Sequence, residues 1–240
     1  MTFPTYIAHR GAGKLAPENT LAAFQLGAQL GHKAFECDVK LSADEVCLLL
    51  HDDTLERTTN GTGLAGRQLW AQLAQLDAGS WLSAQFAGSP IASLADIAQF
   101  CRPRGDWVNL EIKPTTGTDA RTGELVAHAA NALWGAKAHH LVLSSFSTVA
   151  LQAAHAAQPH LAVAHLFETL PANWQDLVRC VAGQGVVFDA ALVSPGIVRN
   201  CHDNGWWCAS YTVNDPQVAQ RLLSWGIDHL ITDRVDLFKN

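Results

Sequence analysis

Short apolar runs rich in β-branched residues alternate along the chain with longer segments that carry apolar residues at helical spacing. This alternation is typical of repeated βα units around a parallel sheet. Eight runs are predicted as strands, at residues 6–9, 34–39, 108–112, 141–144, 161–166, 186–188, 207–212 and 227–232. Helices are predicted between them, at residues 18–30, 93–100, 119–134, 147–157, 172–180, 194–204 and 216–225. Eight such units in 240 residues predict an α/β fold, the TIM (β/α)8 barrel.

The segment after the second predicted strand breaks this rhythm. It opens with a further predicted strand at residues 46–50 and contains the turn-prone residues 60–63. We interpret residues 52–92 as an insertion over the C-terminal face, where TIM barrels carry their active sites. Its aromatic residues Trp70, Trp81 and Phe86 are expected to form a small core of their own. Residues 1–240 are thus predicted to form a single barrel domain.

Composition narrows the classes of partner. The chain has 16 Lys and Arg against 22 Asp and Glu, a formal charge of −6, which disfavours binding to nucleic acid. The longest stretch without these charged residues, 138–167, is interrupted by five histidines, so no stable membrane insertion is expected. Six cysteines without a CxxC pair favour free thiols over a zinc site. Because residues 1–6 lack the features of a secretory signal, a cytoplasmic location is expected.

Acidic residues occupy alternate positions on two neighbouring predicted strands. Glu36 and Asp38 are two apart, so their side chains point to the same side of the strand. Glu111, at the end of the next barrel strand, is expected to join them, with Lys113 beside it. Three carboxylates so placed predict a site for one divalent cation, Mg²⁺ or Ca²⁺. The alternatives are a surface pair of carboxylates and a purely structural ion pair between Glu111 and Lys113.

Two histidines also fall at predicted strand ends. His9 and Arg10 follow the first strand, and His51 follows the strand at 46–50. An imidazole can give or take a proton near neutral pH, and an Arg or Lys can bind anionic oxygens. Together with the carboxylates, these residues favour metal-dependent cleavage of a phosphodiester.

The same residues lie in motifs of a known family. Six motifs occur in a fixed order: His9-Arg10-Gly11, Pro17-Glu18-Asn19-Thr20, Glu36-Cys37-Asp38-Val39, the segment from His51 to Thr59, the segment from Asn109 to Pro114, and Tyr211-Thr212-Val213-Asn214. In these motifs the chain resembles the glycerophosphodiester phosphodiesterases, in particular the short cytosolic bacterial type. That resemblance implies hydrolysis of small glycerophosphodiesters, such as glycerophosphocholine or glycerophosphoethanolamine, to sn-glycerol 3-phosphate and an alcohol.

Site roles follow from the resemblance, position by position. It implies Glu36, Asp38 and Glu111 as metal ligands, His9 and His51 as the acid/base pair, and Arg10 and Lys113 as phosphate contacts. The glycerol 2-hydroxyl is implied as a candidate first nucleophile, giving a cyclic phosphate that water then opens.

Four further residues are candidates around this set. Tyr211 stands where many relatives carry Trp, and it keeps an aromatic wall for the substrate pocket while adding a hydroxyl. Phe146 is a second candidate for that wall. Glu18 and Asn19 are expected either to cap the first helix or to support Arg10 from behind.

Three other functions are open on the same fold. A phospholipase D-like lyase would stop at the cyclic phosphate. A non-catalytic binding protein would keep the barrel without the reaction. A sugar-phosphate isomerase or aldolase would favour a catalytic base or a Schiff-base lysine over a cluster of three carboxylates.

Overall fold

A closed parallel barrel organises the computed structural model, which describes residues 3–239. The strands are β1 (Tyr6–Ala8), β2 (Ala34–Leu41), β3 (Cys47–Leu49), β4 (Trp107–Ile112), β5 (Leu141–Ser145), β6 (Ala162–Phe167), β7 (Gly185–Asp189), β8 (Trp207–Tyr211) and β9 (His229–Thr232). Eight of them run parallel in the order β1-β9-β8-β7-β6-β5-β4-β2, and the pairing of Ala8 with Phe35 closes the ring. The predicted TIM barrel is therefore confirmed. β3 lies outside the ring and pairs antiparallel with β2.

Helices connect most of the strands. They are α1 (Leu21–Gln29), α2 (Trp70–Leu73), α3 (Leu94–Arg104), α4 (Asp119–Trp134), α5 (Thr148–Ala157), α6 (Trp174–Cys180), α7 (Pro195–Asp203) and α8 (Pro216–Ser224). The first helix begins later than predicted because Thr20 is its N-cap and accepts a hydrogen bond from the Ala23 N–H. Within residues 3–239, no helix has both the length and the apolar character that a bilayer crossing needs.

The alternation of side chains along β2 determines what faces the barrel axis. Phe35 and Val39 point outward into the main hydrophobic cluster under the helices. Ala34 belongs to a second cluster built from several strands inside the ring. Because side chains alternate along a strand, Glu36 and Asp38 share the inward face with Ala34. The strand therefore buries two carboxylates inside the barrel.

Residues 50–93 connect β3 to α3 and contain α2 and two short 3₁₀ turns. Their small core is aliphatic: it is made by Leu48, Leu50, Leu55, Ala65, Leu73, Ala78 and Ile91. The predicted aromatic core is wrong for two of three residues. Trp70 packs at the edge of this cluster, but Trp81 is 40% exposed and Phe86 packs against the main core. The segment is tied to the barrel by the buried Lys40, whose Nζ donates to Asp53 Oδ1 at 2.6 Å.

Helix α1 packs closely against the loop after β1, and a substitution at this contact tests the packing. A Cβ on Gly27 would lie 2.2 Å from the Gly11 carbonyl oxygen, in the loop that follows Arg10. We expect Gly27→Ala to lower the free energy of unfolding by about 1–3 kcal/mol, the usual cost of overpacking. Urea denaturation measures this change. Gly196→Ala on α7 is the matched control, because its Cβ would meet no atom closer than 3.8 Å. Equal stability of the two variants would contradict the packing described.

Candidate active site

Three buried carboxylates meet where β2 and β4 lie side by side. Asp38 is the register partner of Glu111, and Glu36 lies one inward position earlier on β2. Glu36 and Asp38 are almost completely buried, and Glu111 is 9% exposed. One carboxylate oxygen from each residue lies within 4.8 Å of the other two. The arrangement predicted from the spacing of acidic residues is therefore present as geometry.

Two cations contact this carboxylate cluster, which consists of Glu36, Asp38 and Glu111. The Arg10 backbone N–H donates to Glu36 Oε2 at 3.0 Å, and its Nε lies 3.2 Å from Asp38 Oδ2. Lys113 Nζ lies 2.7 Å from Glu111 Oε1 and 3.9 Å from Asp38 Oδ1. Two cations do not balance three ionised carboxylates, so the cluster has an excess of negative charge.

Asn19 supports the cluster from the loop before α1. Its Nδ2 donates to Asp38 Oδ2 at 2.8 Å, and its Oδ1 accepts from the Asp38 backbone N–H at 3.1 Å. Asn19 has a positive φ of 61°, a conformation that Asn adopts more readily than most residues. The capping alternative is wrong for this residue, since it contacts Asp38 and Thr20 caps the helix.

Burial perturbs the protonation of all three carboxyl groups. Burial raises the pKa of Glu36 well above its usual value, and the charges of Asp38 and Glu111 add to the effect. Burial and Asp38 together raise the pKa of Glu111 to about 7. Burial also opposes ionisation of Asp38, but Arg10 and then His51 outweigh it, so its pKa lies below the usual value. The cluster is thus costly to ionise fully without a further positive charge.

The donor set of the cluster fits a hard divalent cation. All three groups offer oxygen, the ligand atom that Mg²⁺ and Ca²⁺ prefer. Glu36 Oε1 is buried, and no hydrogen-bond donor within residues 3–239 reaches it. A buried acceptor without a partner is uncommon, and a bound cation would satisfy it.

A carboxylate orients the ring of His9. His9 Nδ1 lies 2.7 Å from Asp233 Oδ1, and Asn214 Nδ2 donates to the other Asp233 oxygen at 2.9 Å. Burial acts to raise the pKa of Asp233, but the hydrogen bond with His9 outweighs it and the pKa is lowered. An ionised Asp233 can only accept, so the proton is on Nδ1 and Nε2 is left for chemistry. That Nε2 lies 3.8 Å from Glu36 Oε2, at the edge of the cluster.

A longer chain of ion pairs orients His51. His51 Nδ1 lies 2.6 Å from Asp52 Oδ1, and Arg57 Nε donates to Asp52 Oδ2 at 2.6 Å. Arg57 also donates to both oxygens of Glu18, which in turn accepts from Arg10 Nη1 at 2.8 Å. Burial lowers the pKa of His51, with Asp38 acting in the opposite direction, so its imidazole is neutral near pH 7. The chain joins one histidine to the arginine beside the carboxylates.

Four residues of these networks had no role predicted from the sequence: Asp52, Arg57, Asn214 and Asp233. A signal was present for two of them. Asp233 directly follows β9, as His9 directly follows β1, and neighbouring parallel strands end at the same face. Asp52 is adjacent to His51 in the chain. Their partners could be identified only once the barrel was closed.

A cavity of about 540 Å³ opens above the cluster at the C-terminal ends of the strands. His9, His51 and Lys113 line it together with the aromatic residues Phe146 and Tyr211. Every residue proposed from the sequence for the site therefore lies at or directly behind this mouth.

Comparisons with known proteins agree with this geometry. Residues 9–237 match the family model described as the glycerophosphoryl diester phosphodiesterase family. The chain belongs to this family. It is 31% identical over 228 residues to a glycerophosphodiester phosphodiesterase of Caldanaerobacter subterraneus subsp. tengcongensis, covering 95% of this chain and 93% of that protein. It is an enzyme of the phosphoric diester hydrolase class.

Solved structures of family members have the same fold. An Oleispira antarctica phosphodiesterase in complex with the product sn-glycerol-3-phosphate has a TM-score of 0.88 and 33% identity, covering 96% of this chain and 93% of that one. A glycerophosphodiester phosphodiesterase from Agrobacterium tumefaciens has a TM-score of 0.79 and 30% identity, with 99% of both chains covered. The family barrel therefore extends over nearly the whole chain.

The raised pKa values of Glu36 and Glu111 predict that the stabilisation of the protein by a bound metal ion depends on pH. Because the folded-state pKa of Glu111 is raised, its favourable contribution is complete below about pH 4.5 and is lost as pH rises toward 7. We expect the melting temperature of chelated protein to gain from Mg²⁺ or Ca²⁺, and to gain more at pH 8 than at pH 5. Thermal unfolding at both pH values measures this.

Two variants control the stability measurement. Glu111→Gln should remove most of the gain from metal, whereas Glu124→Gln, at an exposed position on α4, should keep it. An equal gain in Glu111→Gln would place the metal elsewhere.

Proposed function

We propose that this protein hydrolyses glycerophosphodiesters, such as glycerophosphocholine or glycerophosphoethanolamine, to sn-glycerol 3-phosphate and an alcohol. The observation that carries the proposal is the meeting of three carboxylates, two cations and two carboxylate-bound imidazoles at one cavity. The related Oleispira antarctica enzyme was solved with sn-glycerol-3-phosphate, the product expected here. A divalent cation, Mg²⁺ or Ca²⁺, is part of the proposal.

The proposed division of roles follows the contacts. Glu36, Asp38 and Glu111 hold the cation, which when bound withdraws electron density from a phosphate oxygen and stabilises the charge that develops there. Arg10 and Lys113 lie beside the carboxylates and line the cavity, so they hold the remaining phosphate oxygens. With a divalent cation bound, Arg10, Lys113 and the cation exceed the three ionised carboxylates by one positive charge, which the single negative charge of the phosphodiester balances.

His9 and His51 move the protons. Each ring uses Nδ1 to bind a carboxylate, which leaves Nε2 for the substrate. One imidazole accepts the proton of the attacking hydroxyl, and the other donates a proton to the alcohol as its bond to phosphorus breaks. Attack by water gives the products directly. Attack by the glycerol 2-hydroxyl gives a cyclic phosphate, which water opens in a second step with the proton roles reversed.

Residues around the carboxylate cluster and the two histidines also have proposed roles. Phe146 and Tyr211 form a wall of the substrate pocket, and residues 52–92 cover part of the same face. Organisation of residues 1–240 as one catalytic domain and a cytoplasmic location stay predictions from the sequence.

The direct test is release of sn-glycerol 3-phosphate from glycerophosphocholine by purified protein. Activity should be lost on chelation and restored by Mg²⁺ or Ca²⁺ added singly, because the carboxylate cluster then regains its cation. Glu36→Ala should abolish both turnover and metal binding. Release without any metal, or accumulation of cyclic phosphate as the final product, would contradict the proposed hydrolysis.

Substitution of the histidines separates proton transfer from metal binding. His9→Ala and His51→Ala should each lower kcat by roughly 10²–10⁴-fold, the usual range for general acid–base groups. Metal-dependent stabilisation should persist in both. His202→Ala is the matched control, since this exposed histidine on α7 pairs with Asp228 away from the cavity. Full activity in either site variant would exclude that histidine from the reaction.

Substitution of Asp233 tests whether His9 needs its carboxylate partner for catalysis. Asp233→Asn keeps the shape of the residue, and its amide oxygen is expected to accept the hydrogen bond from Asn214 Nδ2, which turns the amide NH2 toward His9. The proton is then no longer held on His9 Nδ1, so Nε2 is not free in the right tautomer. We expect kcat to approach that of His9→Ala while KM changes little. Asp236→Asn, at an exposed aspartate paired with Arg234, is the control. Steady-state kinetics with unchanged kcat would show that the ring of His9 needs no carboxylate.

A further inference from the structure

Glu168 is a carboxylate in the cavity that the proposed reaction does not use. It directly follows β6, it is exposed, and it lines the cavity of about 540 Å³. No Lys, Arg or His within residues 3–239 forms an ion pair with it, in contrast to Glu18 and Glu111. Its negative charge is therefore available to a molecule in the cavity.

A fixed aromatic wall stands in the same part of the cavity. The rings of Phe146 and Tyr211 pack edge to face, with centroids 5.9 Å apart and planes at 83°. The Tyr211 hydroxyl donates to the Phe167 carbonyl at 3.4 Å, which holds the second ring in place. Glu168 directly follows Phe167, and Asp189 is the register partner of Tyr211 on the neighbouring strand, so both carboxylates lie near this ring. A carboxylate beside aromatic faces is the usual composition of a site for an organic cation.

Two permanently charged cations, Arg10 and Lys113, line the same cavity. Arg10 and Lys113 contact the carboxylate cluster, and Lys113 Nζ lies over one face of Phe146 at 5.2 Å. A cationic group attached to the phosphate would be repelled by Arg10 and Lys113 and attracted by Glu168.

We propose that Glu168 determines specificity by selecting glycerophosphodiesters whose alcohol carries a positive charge, with that charge lying between Glu168 and Tyr211. This inference rests on the proposed hydrolysis and adds the residue that discriminates among its substrates. Glu168 forms no hydrogen bond or ion pair with the carboxylate cluster or with His9 and His51, so its proposed role concerns the bound alcohol and not the metal or the proton transfers.

A pair of isosteric substrates tests the role of charge. Glycerophosphocholine and its 3,3-dimethylbutyl analogue have the same shape, but the quaternary nitrogen is replaced by carbon. Wild-type holoenzyme should favour the choline ester in kcat/KM by roughly threefold to tenfold, the scale of a partly exposed cation contact. Glu168→Gln should bring the ratio close to one, and Glu168→Lys should invert it. Glu124→Gln, an exposed site on α4, should keep the wild-type ratio.

A binding measurement makes the two proposals separable. Calorimetric titration of both diesters into His9→Ala holoprotein, with and without Glu168→Lys, gives the same comparison without turnover. One outcome is that the choline ester binds more tightly, that Glu168→Lys removes this preference, and that the wild type releases no sn-glycerol 3-phosphate. This outcome would reject the hydrolysis and keep the specificity role. The other outcome is that the wild type hydrolyses both esters and that the ratio of their kcat/KM values is the same in Glu168→Lys. This outcome would overturn the role of Glu168 and leave the hydrolysis standing.

Discussion

Burial of three carboxylates inside a parallel barrel is the constraint on which the rest of the site depends. Ionised carboxylates removed from water need opposite charge and hydrogen-bond donors, and Arg10, Lys113 and Asn19 supply part of both. The supply is incomplete, as the unpartnered Glu36 oxygen and the raised pKa of Glu111 show. A cluster left short of positive charge in this way is suited to take up a cation together with an anionic substrate.

The positioning networks connect distant parts of the chain around this constraint. Glu18 receives hydrogen bonds from both Arg10 and Arg57, so the loop before α1 and the segment after β3 are held against each other. Through Asp52 the same arginine orients His51. Burial works against ionisation of Glu18, but hydrogen bonds from Arg57 outweigh it and lower its pKa. The arginine beside the cluster and one imidazole are thus positioned by a shared set of contacts.

Periodicity along the chain was enough to predict the barrel, and local alternation was enough to predict the shared face of Glu36 and Asp38. Glu111 was expected to join them because the closed barrel puts its strand beside theirs. Partners that come from opposite ends of the chain were not predictable in this way. Asp233 meets His9 only because β9 lies beside β1 in the closed ring. The first helix begins later than predicted for a local reason: Glu18 and Asn19 precede the cap at Thr20 and contact Arg10 and Asp38. The exposure of Trp81 depends on how residues 50–93 fold back, and the hydrophobic periodicity of the sequence does not predict that path.

The two halves of the barrel carry different tasks. The carboxylates, their cations and His9 lie on or directly after β1, β2 and β4, whereas Phe146, Glu168 and Tyr211 lie at the ends of β5, β6 and β8. Phe146 links the halves, since its ring contacts Lys113 on one side and Tyr211 on the other. Because the second group makes no hydrogen bond to the carboxylates, substitutions at these loop positions would change the wall of the cavity while the buried charges keep their partners. At position 211 the tyrosine hydroxyl is bound by the Phe167 carbonyl and the aromatic ring lines the cavity.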